Sequence, residues 1–149
     1  MTYRPYAAII AEANANNSKL VLELVNGTAT TIPALTPVGM DNAGNMQPVS
    51  IGDNLSSVAV LGITESSVPP SQSGNVVFSG RIENVSISAP HGSILYVSKT
   101  GTLTINIPTV GMFGFVPGDE VIRIGGVVKN KANPSLKDII VRIEVIGTL

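Results

Sequence analysis

From Leu20 onward, apolar residues recur with a period of two. In "KLVLELV", Leu20, Leu22 and Leu24 fall on one face and Val21, Glu23 and Val25 on the other, the alternation of an extended strand. Asn26-Gly27 follows, a pair suited to a tight hairpin, and "TATTIPAL" continues it with β-branched residues. Pro33 and Pro37 fix an edge or a bend. "SVAVLGITE" (57–65) predicts a buried strand carrying Gly62, and "SSVPPSQSG" (66–74) a surface loop in which Pro69-Pro70 blocks helix. "NVVFSGRIENVSIS" (75–88) predicts two strands or one bent strand with Gly80 as a bulge. "SILYVSKTGTLTINI" predicts a hairpin turning at Gly101, "TVGMFGFVPGD" (109–119) a glycine-punctuated loop, and "EVIRIGGVVKN" a strand interrupted at Gly125-Gly126. In the closing "DIIVRIEVIGTL", Ile139, Val141, Ile143 and Val145 share a face while Arg142 and Glu144 point the other way. The expected fold class is all-β, a compact barrel or sandwich of short antiparallel strands.

Residues 1–17 stand apart as an N-terminal arm. Tyr3, Arg4, Pro5 and Tyr6 read as extended, because Pro5 turns its neighbour away from helix. Residues 7–13 suit a turn or two of helix but lack an N-cap and are too short to be stable alone. Two of the three tyrosines lie in this arm, and Tyr favours interfaces, so Thr2, Tyr3, Arg4, Pro5 and Tyr6 are expected to dock on a neighbour. Residues 18–149 form the β domain, with two halves at 18–88 and 89–149. The division rests on a repeat. Met40-Asp41-Asn42-Ala43-Gly44-Asn45-Met46 aligns with Val97-Ser98-Lys99-Thr100-Gly101-Thr102-Leu103: an apolar residue, a polar turn with Gly at one place, and an apolar return. Each copy ends near a proline, Pro48 or Pro108, and after a spacer meets a strand built around Gly62 or Gly125.

Composition narrows the function classes. Charged residues make up 13% of the 149-residue chain, against about 25% in ordinary soluble domains. A surface so poor in charge is expected to be partly covered by other copies or by a partner. The net charge of −1 gives no electrostatic grip on nucleic acid or anionic lipid. Residues 1–10 contain Arg4 and no long apolar run, so neither a signal peptide nor a membrane span is expected, and the expected site of synthesis is a cytoplasm.

Little in the sequence points to catalysis. Cysteine is absent, which removes thiolate nucleophiles, disulfides and Cys-type metal sites. His91, the one histidine, sits between Pro90 and Gly92 in an expected turn, without a G-x-S-x-G element to make a triad. "DNAGN" (41–45) lacks the alternating carboxylates of a Ca²⁺ loop and reads as a plain turn. Glu65 with Glu83, or Asp119 with Glu120, are the carboxylate pairs that folding could bring together. No catalytic residue, cofactor or metal is expected. A ligand-binding module would use the 109–119 loop with Phe113 and Phe115, two rings read more readily as core or partner interface.

One stretch carries a family likeness. "IPALTPVGMDNAGNMQPVS", then "VAVLGITESSV", then "NVVFSGRIENV" resembles the core of small tailed-phage head decoration proteins. The matching positions are Pro33, Ala34, Leu35, Thr36 and Pro37; Val60, Leu61, Gly62 and Ile63; and Ser79, Gly80, Arg81 and Ile82. The likeness spans residues 32–85, and the chain departs from the family by continuing into a second hairpin. That second half, with "YVSKTGTLT", is similar to β modules of phage head-fibre and neck- or tail-associated proteins. The resemblance implies a virion structural protein, a capsid cement that binds the major capsid protein as a homotrimer. It places the docking arm at residues 2–6. The alternative implied by the second half is a head-fibre base or a neck or tail adaptor.

Overall fold

The computed structural model describes residues 19–52 and 60–149. Among them the chain forms nine strands and no helix. These are β1 (Leu20–Val25), β2 (Pro37–Met40), β3 (Met46–Pro48), β4 (Gly62–Thr64), β5 (Ser73–Val85), β6 (Ile94–Val97), β7 (Leu103–Thr104), β8 (Glu120–Lys129) and β9 (Lys137–Thr148). Every strand pairing is antiparallel, and the sheet curls into a half-barrel. The order is β3-β2-β4-β5-β9-β8-β6-β7, with β1 added to β5 beside that path. The fold is all-β, as the period of two predicts.

The repeated hairpin closes in the same way twice. Asp41 N–H donates to Asn45 O at 2.8 Å and Gly44 N–H to Asp41 O at 3.0 Å. Ser98 N–H donates to Thr102 O at 2.7 Å and Gly101 N–H to Ser98 O at 3.0 Å. Gly44 and Gly101 take φ of 83° and 87°, the left-handed region that closes such turns. The likeness continues into the sheet. Val38 faces Gly62 and Leu95 faces Gly125; Pro37 faces Ile63 and Ile94 faces Gly126. Ile63 then faces Val77 and Thr64 faces Val76, while Gly126 faces Ile140 and Val127 faces Ile139. One shift along the sequence carries the first set of β4 and β5 residues onto the second set on β8 and β9. A Cβ at Gly62 would meet Val77 O, and one at Gly125 would meet the corresponding Ile140 O. That shift also carries Ser79 onto Arg142, and these two face each other where β5 joins β9. The pairing pattern is therefore two four-strand units, β3-β2-β4-β5 and β7-β6-β8-β9, joined antiparallel and symmetric about Ser79–Arg142.

Two apolar clusters stabilise this sheet. The larger draws on both units, with Ile63 and Val77 from the first and Leu95, Ile124 and Ile139 from the second. The smaller, Ile32, Val38, Met46, Val68 and Val76, covers the opposite face of the first unit. Successive residues Val76 and Val77 on β5 thus enter different clusters, so the first unit is buried on both faces. The residues of the family likeness meet here. Leu35 N–H donates to Thr64 O at 2.8 Å, and Thr64 Oγ1 both accepts from Thr36 N–H at 3.0 Å and donates to Pro33 O at 2.7 Å.

Several expectations need correction. Asn26-Gly27 is not a hairpin, because β1 pairs with β5 and not with the residues that follow. Asn26 is instead buried, its Nδ2 donating to Thr30 O and Val68 O at 2.9 and 2.8 Å and its Oδ1 accepting from Thr28. An Asn with its amide fully bonded anchors the long crossing segment, and Ile32 enters the smaller cluster in place of a second strand. On β1, Val21 packs on the larger cluster and Leu24 on the smaller, while Leu20 and Leu22 stay exposed. The 57–65 strand is β4 within the described residues, and 53–59 lie outside them. β5 is one strand of 13 residues. At Gly80 (φ 103°) it changes face, since Val77 before it and Ile82 after it both enter the larger cluster despite opposite parity. Register shifts flank it, one at Phe78 against β1 and one between Ile82 and Val85 against β9. β8 continues through Gly125-Gly126 as one strand, and the interruption is a register shift between Arg123 and Gly125 against both β6 and β9. Val145 is exposed, because β9 leaves β5 beyond Arg142 and its alternation no longer has a core on one side.

Candidate interaction surface

After β7 the chain passes through residues 105–119 without regular strand. Ile105, Ile107, Val110, Met112, Phe113 and Val116 are all exposed there, with Phe113 at 65% and Ile107 at 60% of full exposure. Single exposed apolar residues are ordinary, but six in one loop form a patch that water disfavours. The loop's own hydrogen bonds hold it in place. Met112 N–H donates to Thr109 O at 3.1 Å, Phe115 N–H to Met112 O at 3.0 Å, and Gly111 N–H to Phe115 O at 2.9 Å. Phe115 is 3% exposed and packs in the larger cluster. It anchors the loop and offers no surface, which corrects its reading as a partner-facing ring. Phe113 is carried outward at φ 51°, a left-handed conformation uncommon for an aromatic residue.

Asp119 fastens the far end of the loop. Its Oδ2 accepts from Lys99 Nζ at 2.6 Å and from Val116 N–H at 2.9 Å. The Lys99 hydrogen bond, followed by that of Val116, holds its carboxyl below the usual Asp range against the opposing effect of burial. Asp119 O also accepts from Leu149 N–H at 2.9 Å, so the loop, the second hairpin turn and the end of β9 share one junction.

A second feature lies over the β5–β9 seam, an open depression of about 850 Å³. Lys19, Glu65, Arg81, Glu83, Lys131 and Arg142 line it. Glu65 and Glu83 therefore do share one concavity, but Glu65 is engaged by Lys19 and by Asn75 Nδ2 at 3.3 Å. Beneath it Asp138 is fully buried. It accepts from Arg81 Nη1 at 2.7 Å, from Asn84 N–H at 2.9 Å and from Asn130 Nδ2 at 2.9 Å. Burial alone would raise its pKa, yet the bonds from Asn84, Asn130 and Arg81 together hold it below the usual range. The arrangement ties the irregular end of β5 and the β8–β9 connection to the seam and serves structure.

Other expected residues fall as follows. Thr2, Tyr3, Arg4, Pro5 and Tyr6 lie outside the described residues. His91 is exposed in a turn, with Nε2 3.3 Å from Leu136 O. In 41–45, Asp41 Oδ1 accepts from Ala43 N–H and Asn45 N–H, each at 2.9 Å, so its lone pairs serve the turn. Glu120 is exposed while Asp119 is buried, and the two do not form a pair. Sequence reasoning missed Asp138 and Asn26. The signal for Asp138 was a lone acid at the mouth of an apolar strand, "KDIIV". No protein-family model matches the chain, and no curated protein matches it.

Proposed function

We propose that this chain is a virion structural protein, a decoration or cement protein of a tailed-phage head, and that it works by binding and not by turnover. The observation that carries the reading is the apolar 105–116 loop, presented outward on a buried anchor, Phe115, and a partly buried ion pair, Lys99–Asp119. Such a patch on a chain with 13% charged residues suits a protein partner that covers it. The likeness at residues 32–85 names the partner class, a capsid shell. The depression supports the ligand-binding module less well, since its lining carries charged side chains and no aromatic ring. The work of a cement protein is to bury area across capsomer joints, and interface area supplies that energy.

The test uses heads of the phage that encodes the chain, prepared without it, and purified protein added back. Wild-type protein is expected to decorate the head surface in regular array by cryo-electron microscopy. Deletion of residues 1–6 should abolish attachment while the circular dichroism of the β fold stays unchanged. Protein found at one vertex or on the tail would replace the cement reading with the head-fibre or adaptor reading. No attachment anywhere on the particle refutes both.

A further inference from the structure

β1 is a six-residue strand that pairs on one side only among the described residues. Asn26 directs its N–H to Gln72 O at 2.9 Å on the β5 side. Alternation then turns Leu24 and Leu22 toward β5 and leaves the N–H and C=O groups of Val21 and Glu23 pointing away from it, while past Val25 the chain is bridged to β3, Asn26 to Met46, with Gly27 N–H donating to Met46 O at 3.3 Å. The register shift at Leu20/Val21 places the extra residue, Phe78, on β5, so β1 keeps its own alternation. The strands at the two ends of the sheet path, β3 and β7, are only three and two residues long, and β3 is further covered at Met46 by its bridge to Asn26. β1 is twice as long or more, and Leu20, Leu22 and Val25 on it are exposed. An apolar edge of this length invites another strand.

The sequence of the edge says which strand fits. Lys19 and Glu23 flank Val21 at equal distances. Two antiparallel copies with Val21 facing Val21 set Lys19 opposite Glu23 of the second copy, twice, and Leu20 opposite Leu22, twice. A parallel or shifted pairing loses one or both charge matches. We propose that β1 is a self-recognition edge, at which two copies of this chain join their sheets antiparallel about Val21. The contact is isologous, with one patch serving both copies. In the single chain Lys19 meets Glu65, which lies across β5 from the free edge, so pairing with the second copy's Glu23 turns the Lys19 side chain outward and exchanges one carboxylate partner for another. Pairing about Val21 joins five residues of each copy, Lys19 to Glu23, and buries less than the ~1,200–2,000 Å² of a standard stable interface, so the association is concentration-dependent. It gives a dimer, where the family likeness implies a trimer, and it stands independently of the capsid reading.

Sedimentation equilibrium on the full chain tests this, from low to high micromolar concentration. Wild type is expected to pass from monomer to dimer. Glu23→Lys, on an exposed side chain, sets like charges together and should weaken the dimer at least about tenfold with circular dichroism unchanged. Because the chain has no cysteine, Lys19→Cys/Glu23→Cys gives a second readout: mild oxidation should yield a covalent dimer. A monomer at every concentration, a trimer, or a Glu23→Lys protein that associates like wild type would overturn the proposal. So would a double-cysteine protein that oxidises without forming a dimer.

Discussion

Asp138 is buried with its charge, and three donors make that tolerable: Arg81, Asn84 N–H and Asn130. Removing the acid leaves Arg81 and two amides facing a void, so Asp138→Ala should lose about 3–5 kcal/mol in urea unfolding. The pH dependence has a definite sign. The carboxyl's folded pKa lies below its unfolded value near 3.8, so its contribution is complete above that value and disappears as pH falls through the lowered one. Asp119 acts in the same direction. Wild type should therefore lose stability on acidification below about pH 4, and Asp138→Asn should flatten that loss, as followed by urea midpoints across pH. The two loop phenylalanines separate by the same reasoning. Phe115→Ala empties a core site and should cost about 3–5 kcal/mol. Phe113→Asn relieves a left-handed aromatic residue and should leave stability unchanged or raised by up to about 1 kcal/mol, as calorimetry would show.

At the scale of elements, the two hairpins differ in what surrounds their turns. Open space lies around a Cβ at Gly44, whereas one at Gly101 would strike Val49 O. Gly44→Ala should thus cost only the left-handed penalty, about 1–2 kcal/mol, and Gly101→Ala clearly more, measured as the difference in unfolding midpoints. Both hairpins and the glycine strands beyond them were legible in the sequence, because turn chemistry and the period of two act locally. The partner of each strand was not, because nothing local distinguishes β5 from the next segment as the neighbour of β1. The same limit explains Asn26: an Asn-Gly pair signals a turn unless a distant carbonyl, here Val68 O, claims the side chain. Phe113 and Phe115 lie two residues apart in one glycine-rich loop, and only tertiary packing sends one inward and the other out.

For the whole molecule, the low charge, the symmetric pairing of two four-strand units and the apolar loop describe a β scaffold with an apolar segment turned outward. The loop is fastened by its own backbone hydrogen bonds and by Asp119, and a patch that keeps its shape loses little ordering entropy when covered. The most direct measurement is the binding of purified chain to heads that lack it, comparing wild type with Phe113→Asp. The account predicts saturable decoration by wild type and a loss of roughly 30-fold or more for the variant, the scale of a buried aromatic anchor, with its fold intact. Equal binding by the two proteins, or none by wild type, would contradict it.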